Sequence, residues 1–480
     1  MSAVPHVAIV GGGISGLATA HRLVRLTSPG ALRVSVLESS ERFGGVVRTR
    51  ALAGRLLDAG PESMLAAAAQ GPALCRELGL GDELVAPACD QPLLWTRGAL
   101  RPLPPRLLAG VPGGARAVAA TGTLSKRGML RAGLDYVLPS REPVEDVSIG
   151  SLVRARLGDE VHERLIAPLL GGIHAGDCDS LSVRAAAPQL VAALASGRGL
   201  IRGLRALAAK GPARGAPVFL TLDGGLATLV TALVEELAVR CELRGATAVT
   251  SIAPAGGRLE LMISGGERLL ADRVALATPA YATAEILAAA CPAGARELRK
   301  IDYASVATVA LAYPAAAFGG PLRGSGFLVP RGERRTITAC TWASAKWAHL
   351  AGEPLLLRAS VGHAGDASAL EHDDTGLIAL VHAELAAAMA LRAGPLEAAV
   401  TRFPAGLAQY HVGHLERVAR IEAALAGLPG VNVAGAAYRG VGIGSCIRGA
   451  EALATQIAGE LGFVPQPSLQ KMTTRARRET

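Results

Sequence analysis

Apolar residues gather in short unbroken runs, and the first sets the theme of the chain. Val7-Ala8-Ile9-Val10 reads as a buried strand that passes into Gly11-Gly12-Gly13-Ile14-Ser15-Gly16, after which helical spacing runs from Leu17 to Leu26. A second run, Arg33-Val34-Ser35-Val36-Leu37, predicts another strand and ends at Glu38. Further on, a helix is expected from Ala227 to Val239, followed by short strands near 246–251, 259–263 and 273–276. Gly256-Gly257 and Gly265-Gly266 mark tight connections, so these strands are expected to form a β-meander, stopped by Pro279. The last strand, Val431-Asn432-Val433-Ala434-Gly435, leads through a second glycine-rich turn into a helix reaching Ile457.

Between these pieces, residues 94–215 read mostly helical, with proline-rich joints at 102–105 and 139–143. Residues 292–425 alternate strands (306–312, 355–361) with a helix over 377–389. No fixed period marks an internal repeat. The pattern predicts an α/β protein with a Rossmann-like domain that the chain leaves and re-enters, built from 1–93, 216–291 and 426–465. Into it are inserted a mostly helical segment, 94–215, placed at substrate access or membrane contact, and a mixed α+β substrate domain, 292–425. A basic flexible tail occupies 466–480.

Composition narrows the class. The 480 residues suffice for two or three domains, and 50% hydrophobic against 19% charged excludes a disordered chain. No apolar run approaches the roughly 18 residues of a membrane span, and the first residues lack the basic start and cleavage site of a secretion signal, so a cytoplasmic protein is expected. Seven scattered cysteines without a CxxC pair argue against disulfides, zinc and iron–sulfur clusters, and no metal site is assigned. The formal charge of +9 comes with only 3% aromatic residues, too few for base stacking, so nucleic acid is not an expected partner. Lys471, Arg475, Arg477 and Arg478 make the tail basic, which limits membrane contact to a peripheral one at the inner face.

The chemistry lies in the glycine turns. In a GxGxxG turn, Gly11 permits the tight bend, Gly13 lets backbone N–H groups approach a pyrophosphate, and Gly16 lets the helix pack against the strand; Gly12, Ile14 and Ser15 complete the turn. Glu38, at the end of the second strand, accepts hydrogen bonds from a ribose 2′-OH, which favours FAD or NAD over a 2′-phosphate. The residues that follow, Ser39-Ser40-Glu41-Arg42-Phe43-Gly44-Gly45, resemble the ExxxRxGG extension of flavin-dependent amine oxidases and their relatives. That resemblance implies FAD, with Ser39 beside the ribose, Arg42 supplying charge to the phosphates, and Gly44 and Gly45 against the diphosphate and ribityl chain. It also places the Val249 backbone at the adenine, and Gly435, Val441, Gly442 and Ile443 over the isoalloxazine. Cys446 lacks the aromatic neighbour of covalent flavin anchors, so non-covalent FAD and a structural cysteine are expected.

Beyond the glycine turns the chain resembles the porphyrinogen oxidases of haem synthesis, most of all the Gram-positive type acting on coproporphyrinogen III. The resemblance rests on Gly98-Ala99-Leu100-Arg101-Pro102-Leu103-Pro104, Gly172-Ile173-His174-Ala175-Gly176-Asp177 with Leu181-Ser182, and Gly326-Phe327-Leu328-Val329-Pro330. Thr338-Ala339-Cys340-Thr341-Trp342 with Lys346-Trp347, and Gln409-Tyr410-His411-Val412-Gly413-His414, extend it. The family pattern has tyrosine where His174 stands, Asp/Asn-Ser-Phe where Glu62-Ser63-Met64 stands, and an acid near Arg439.

What the resemblance implies is a six-electron oxidation of coproporphyrinogen III to coproporphyrin III. Three hydride transfers go to the flavin, molecular oxygen is converted to hydrogen peroxide, and a ferrochelatase-type protein follows downstream. Protoporphyrinogen IX is the alternative substrate. An amine oxidase, a carotenoid desaturase, or an FAD-binding accessory protein without turnover are further alternatives. No acid or base is assigned, since the flavin carries the reaction and the protein supplies position and charge. Glu62, Gly172, His174, Phe327, Leu328 and Lys346 are the substrate-binding candidates. Arg48, Arg97, Arg101, Lys346 and Arg439 are candidate partners for propionates, while Tyr410 and His414 are expected to be structural.

Overall fold

The computed structural model describes residues 4–104, 107–108, 110–112, 121–140, 142–210 and 216–463. The opening apolar run becomes strand His6–Val10, buried along its whole length, at the centre of a five-stranded sheet. The order is Glu242–Arg244, Arg33–Leu37, His6–Val10, Arg273–Leu276, Val431–Val433, all parallel. Parallel sheets are covered on both faces, which is why these strands read as unbroken apolar runs. Val7, Ile9, Val34, Val36 and Ala275 face the helices Ile14–Leu26, Ala227–Ala238 and Ile443–Glu460. Ala8, Val10, Leu37, Val274 and Leu276 face the opposite way, onto the meander Val249–Ala255, Arg258–Ile263, Arg268–Ala271.

The meander corrects the sequence reading in one strand. Arg273–Leu276 belongs to the parallel sheet, between His6–Val10 and Val431–Val433; Arg268–Ala271 is the third meander strand. Burial on both faces of Val274, Ala275 and Leu276 suits the parallel sheet, whereas Arg268–Ala271 buries only Ala271.

A second sheet has seven strands, in the order Glu397–Ala408, Tyr303–Tyr313, Leu355–Val361, Ile337–Thr341, Gly326–Leu328, Pro92–Thr96, Ala99–Pro102. Helix Asp374–Met389 covers one face by packing Leu377, Val381 and Leu385 on Val309, Leu311, Leu357 and Ala359. The other face packs Ala310, Ala312 and Leu356 on Leu52 and Leu57 of the hairpin Thr49–Leu52, Arg55–Asp58, and Thr308 Oγ1 donates to Ala59 O just beyond it at 2.7 Å. Pro92–Thr96 pairs in parallel with Gly326–Leu328, so the stretch read as helical from residue 94 opens with a hairpin of this sheet, turned by Arg97 and Gly98 at positive φ. Helices then follow, among them Lys126–Gly133, Ile149–Leu157, Pro188–Ala195 and Leu200–Ala209, with a π-helical segment at His162–Gly171. No helix among the described residues is long and apolar enough to cross a membrane. The basic tail and Pro105 lie outside the described residues.

Candidate active site

At the carboxyl end of His6–Val10 the chain turns at Gly11, where φ is +105° and a Cβ would meet Ala277 O at 2.8 Å. A Cβ on Gly16 would lie 1.9 Å from Gly11 O, so only glycine lets the helix begin this close to the strand. Helix Ile14–Leu26 is capped by Gly13, and helix Ile443–Glu460 by Gly442; neither has a side-chain cap or an acid in its first turn. The two helices pack along one another, and a Cβ on Gly435 would stand 3.9 Å from Ser15 Oγ. Two sets of unsatisfied N–H groups therefore open at one corner of the sheet, a ready seat for anionic groups.

The loop after the second strand folds onto this corner. Gly44 N–H donates to Gly12 O at 2.8 Å, and Gly13 and Gly44 bridge. The Glu38 carboxylate accepts Gly12 N–H at 2.7 Å and, on its other oxygen, the Ser40 N–H and hydroxyl at 2.9 Å and the Ser39 hydroxyl at 3.3 Å. Thr247 N–H donates to Glu38 O, which brings the start of strand Val249–Ala255 into the same corner. Arg42 is engaged differently from the expected phosphate contact. Its guanidinium donates to the carbonyls of Phe43 (2.8 Å), Val47 (3.2 Å) and Gly45, on the Val230 side of Gly44 and away from Gly13; it braces the loop from behind.

The segments that carried the porphyrinogen-oxidase resemblance form two groups, 338–347 around Glu62 and 172–182 with 409–414. Glu62 receives Lys346 Nζ, Arg358 Nη1 (3.3 Å) and Thr341 Oγ1 (3.4 Å), and Arg358 also donates to Gly60 O. The three charged side chains are 17%, 11% and 12% exposed. Burial by itself would raise the Glu62 carboxyl; the Lys346 ammonium and Arg358 guanidinium outweigh it and hold the carboxyl below its ordinary value. Behind it, burial pushes Asp58 up to about 6, although the Thr49 hydroxyl and Leu226 N–H donate to it.

At the other end, His174 is buried, its carbonyl accepts Gln409 Nε2 at 2.9 Å, and its Nδ1 has no partner. Burial lowers its imidazole pKa to about 4, so the ring is neutral at pH 7. Tyr410 Oη donates to Ala436 O and accepts Gly440 N–H, both at 2.7 Å, and His414 Nε2 lies 3.0 Å from Tyr438 O; these side chains tie the segment to the second glycine-rich turn.

Against that geometry, a match to the family described as flavin-containing amine oxidoreductase spans residues 14–458. The chain belongs to this family. FAD is its cofactor. Among amine oxidoreductases of this kind, the chain is 37% identical over 451 residues to Bacillus subtilis "Coproporphyrinogen III oxidase", covering 92% of this chain and 95% of that one. It is 30% identical to Macaca fascicularis "Protoporphyrinogen oxidase", covering 94% and 98%. A crystal structure from Exiguobacterium sp. 255-15, with a provisional protoporphyrinogen oxidase assignment, superimposes with a TM-score of 0.85 at 33% identity, covering 95% of this chain and 99% of that one.

The residues present suit the flavin of this family. Two uncapped helix N-termini of 13 and 18 residues, the side-chain-free turn at Gly11 to Gly16, and a carboxylate at Glu38 supply donors for a diphosphate and acceptors for a ribose. Cys446 is buried, with burial pushing its thiol up to about 11, which suppresses the nucleophilic thiolate.

The substrate candidates divide. Glu62 and Lys346 come together, and His174 stands beside Gln409, with Gly172 exposed at the start of its turn. Leu328 lies on the opposite face from Phe327. Phe327 itself is core, packed edge-on against Trp95 and Trp342 under helix Asp374–Met389, because strand alternation points it away from the flavin side.

Of the candidate cations, Lys346 is committed to Glu62, and Arg439 is exposed and doubly bonded to Glu422 at 2.7 Å. Arg48 is exposed over the Phe403 ring, and the Arg97 backbone N–H is bonded to Glu333. Arg101 is half-buried, its Nε without a partner. Arg358 and Asp58 were missed. Arg358 had a signal, a lone charge inside the apolar strand Leu355–Val361; Asp58, between Leu57 and Ala59, had none beyond its nearness to Gly60-Pro61.

Proposed function

We propose that this chain oxidises coproporphyrinogen III to coproporphyrin III, consuming three O2 and releasing three H2O2 for the six electrons and six hydrogens removed. The observation that supports it is convergence: porphyrinogen-oxidase-like segments hundreds of residues apart pair directly, His174 with Gln409 and Leu181 with His411, while Lys346 of a third such segment pairs with Glu62. Bound FAD supplies the two-electron acceptor. The N-terminus of helix Ile443–Glu460 favours the negative charge that reduction brings, being uncapped and free of acids. The Arg358–Glu62–Lys346 cluster fixes the Gly60 to Glu62 turn. Neutral His174, with a free Nδ1, accepts a hydrogen bond from a pyrrole N–H and carries no charge that would oppose oxidation of the macrocycle. Non-covalent FAD, oxygen as acceptor, a ferrochelatase-type consumer of the product and a cytoplasmic setting belong to the same proposal.

A second reading, protoporphyrinogen IX, is favoured by one observation: pairing of Lys346 and Arg439 with Glu62 and Glu422 removes two cations from those available to four propionates. Kinetics with both substrates decide, following porphyrin fluorescence and peroxide. A higher kcat/KM for coproporphyrinogen III supports the first reading. Equal or faster turnover of protoporphyrinogen IX replaces it with the second. No peroxide from either leaves an FAD-binding protein without this activity.

A further inference from the structure

Behind the flavin loop lies a cleft of about 580 Å³ that the activity above does not use. Arg42, Arg48 and Arg50 line it, together with the apolar side chains of Phe43, Val47 and Val230, and no carboxylate is among its lining residues. Gly44 separates it from the cofactor corner, since the Cβ position of Gly44 faces Val230 and Arg42 Nη1 while its backbone meets Gly13 and Gly12.

The three guanidiniums are set in place by uncharged partners. Arg42 is held by three loop carbonyls, Arg50 Nη1 by Val400 O (3.2 Å) and Thr401 Oγ1 (3.3 Å), and Arg48 by Gly45 O and the Phe403 ring. Arg50 Nε is buried without a partner. Burial and then the nearby Arg48 charge lower the Arg42 pKa, with Glu38 across the loop offsetting them in part, so Arg42 and Arg48 repel one another at a cleft that no carboxylate lines. Cations held by neutral hydrogen-bond partners, in a concave site with an apolar wall and no lining carboxylate, are the complement of an oxyanion carrying an apolar body.

We propose that this cleft is a second binding site, distinct from the flavin cradle, for an organic anion whose phosphate or carboxylate head meets Arg42, Arg48 and Arg50 and whose apolar body lies on Phe43, Val47 and Val230. The inference stands apart from the choice of porphyrinogen.

The test uses the FAD-loaded protein and titration calorimetry at fixed ionic strength, with inorganic phosphate, hexyl phosphate and hexanoate as probes. Two variants accompany the wild type. Arg50→Gln removes one cation, and Thr231→Glu places a carboxylate on the exposed helical rim of the cleft. Saturable binding is expected, several-fold tighter for hexyl phosphate than for phosphate because alkyl surface leaves water. It should weaken about tenfold or more in Arg50→Gln, through loss of charge-assisted hydrogen bonds, and disappear in Thr231→Glu. FAD content, read from flavin absorbance, should be unchanged in both variants.

Sedimentation with phosphatidylglycerol vesicles separates the sources of the head group. Co-sedimentation abolished by Thr231→Glu assigns a lipid; hexyl phosphate or hexanoate binding without co-sedimentation assigns a soluble ligand. Unsaturable heats, binding of hexyl phosphate no tighter than of phosphate, or affinities equal in wild type and Thr231→Glu would overturn the proposal. Loss of FAD from Arg50→Gln leaves Thr231→Glu to decide.

Discussion

Replacing Glu62 by Gln keeps the shape of the side chain and removes only its charge, so no cavity cost enters. The wild-type carboxylate accepts from Lys346, Arg358 and Thr341. An exposed ion pair would be worth about 0–1 kcal/mol. Here the partners are only 11% and 12% exposed, and removing one member of a buried pair costs about 3–5 kcal/mol because the opposite charge is left unpaired. Two cations lose their shared carboxylate, which places Glu62→Gln at about 3 kcal/mol or more of lost stability at pH 7.

The measurement is urea unfolding of the FAD-loaded protein at fixed FAD, followed by tryptophan fluorescence. The double variant Glu62→Gln/Lys346→Met, which removes one of the stranded cations, should lose less than the sum of the two single variants, by about 1–3 kcal/mol. The pH dependence is distinctive. The folded carboxyl lies below its ordinary value of 4.5, so its contribution is complete above that value and is lost as pH falls through the folded pKa. The gap between wild type and Glu62→Gln should therefore stay constant from pH 7 to 5 and narrow only below 4.5. A cost under about 0.5 kcal/mol, typical of an ordinary surface site, or a gap that closes already between pH 7 and 5, would refute the buried-triad reasoning.

Asp58 should behave in the opposite sense. With its folded pKa raised from 3.8 to about 6, the folded state takes up a proton first, so wild type should gain up to about 3 kcal/mol relative to Asp58→Asn as pH falls from 7 to 4; a flat difference in pH-dependent urea unfolding would show the carboxyl is not so shifted. Heat or acid should release free FAD into the supernatant, and flavin that stays with the precipitate would contradict non-covalent binding. Glu38→Ala should weaken FAD affinity by about 1.5–3 kcal/mol, roughly 10- to 100-fold, through loss of charge-assisted hydrogen bonds; an unchanged affinity in fluorescence titration would show that Glu38 does not meet the ribose. Because His174 is already neutral above pH 5, kcat/KM should show no limb near 6.5 assignable to it, and a limb there that vanishes in His174→Asn would show its imidazole to be protonated.

How much of this could be read from the chain depends on the range of the interaction. The glycine turn at 11–16, the strands around it and Glu38 are local signals, since strand, turn and helix lie within a few dozen residues and each residue type is dictated by its own backbone. Arg273–Leu276 was harder, because choosing between a meander and the parallel sheet requires knowing that residue 431 arrives beside it. The charged residues were least legible. Lys346 between two tryptophans looked like a free cation; its partner Glu62 lies 284 residues earlier. Arg439 looked like a pocket charge until helix His414–Leu425 brought Glu422 to it. Phe327 was misread because a single short strand, Gly326–Leu328, does not announce which face is covered.

The order of strands in the two sheets also bears on how the protein is made. The sheet beside the cofactor begins with residue 6 and is closed by Val431–Val433, and Pro92–Thr96 waits for a partner strand that starts at Gly326. On the ribosome, the first glycine turn is synthesised early, but the helix N-terminus that faces it follows only at Ile443. A nascent chain released before residue 326 leaves Pro92–Thr96 without its partner strand, and one released before residue 431 lacks the closing strand of the parallel sheet, with strand edges open and apolar faces uncovered. The complete cofactor corner therefore exists only once residue 443 and its helix have been made, so FAD loading is expected late in synthesis or after it. Low flavin supply in an overexpressing cell should show itself as accumulation of full-length, unloaded protein rather than as stalled or partially loaded fragments.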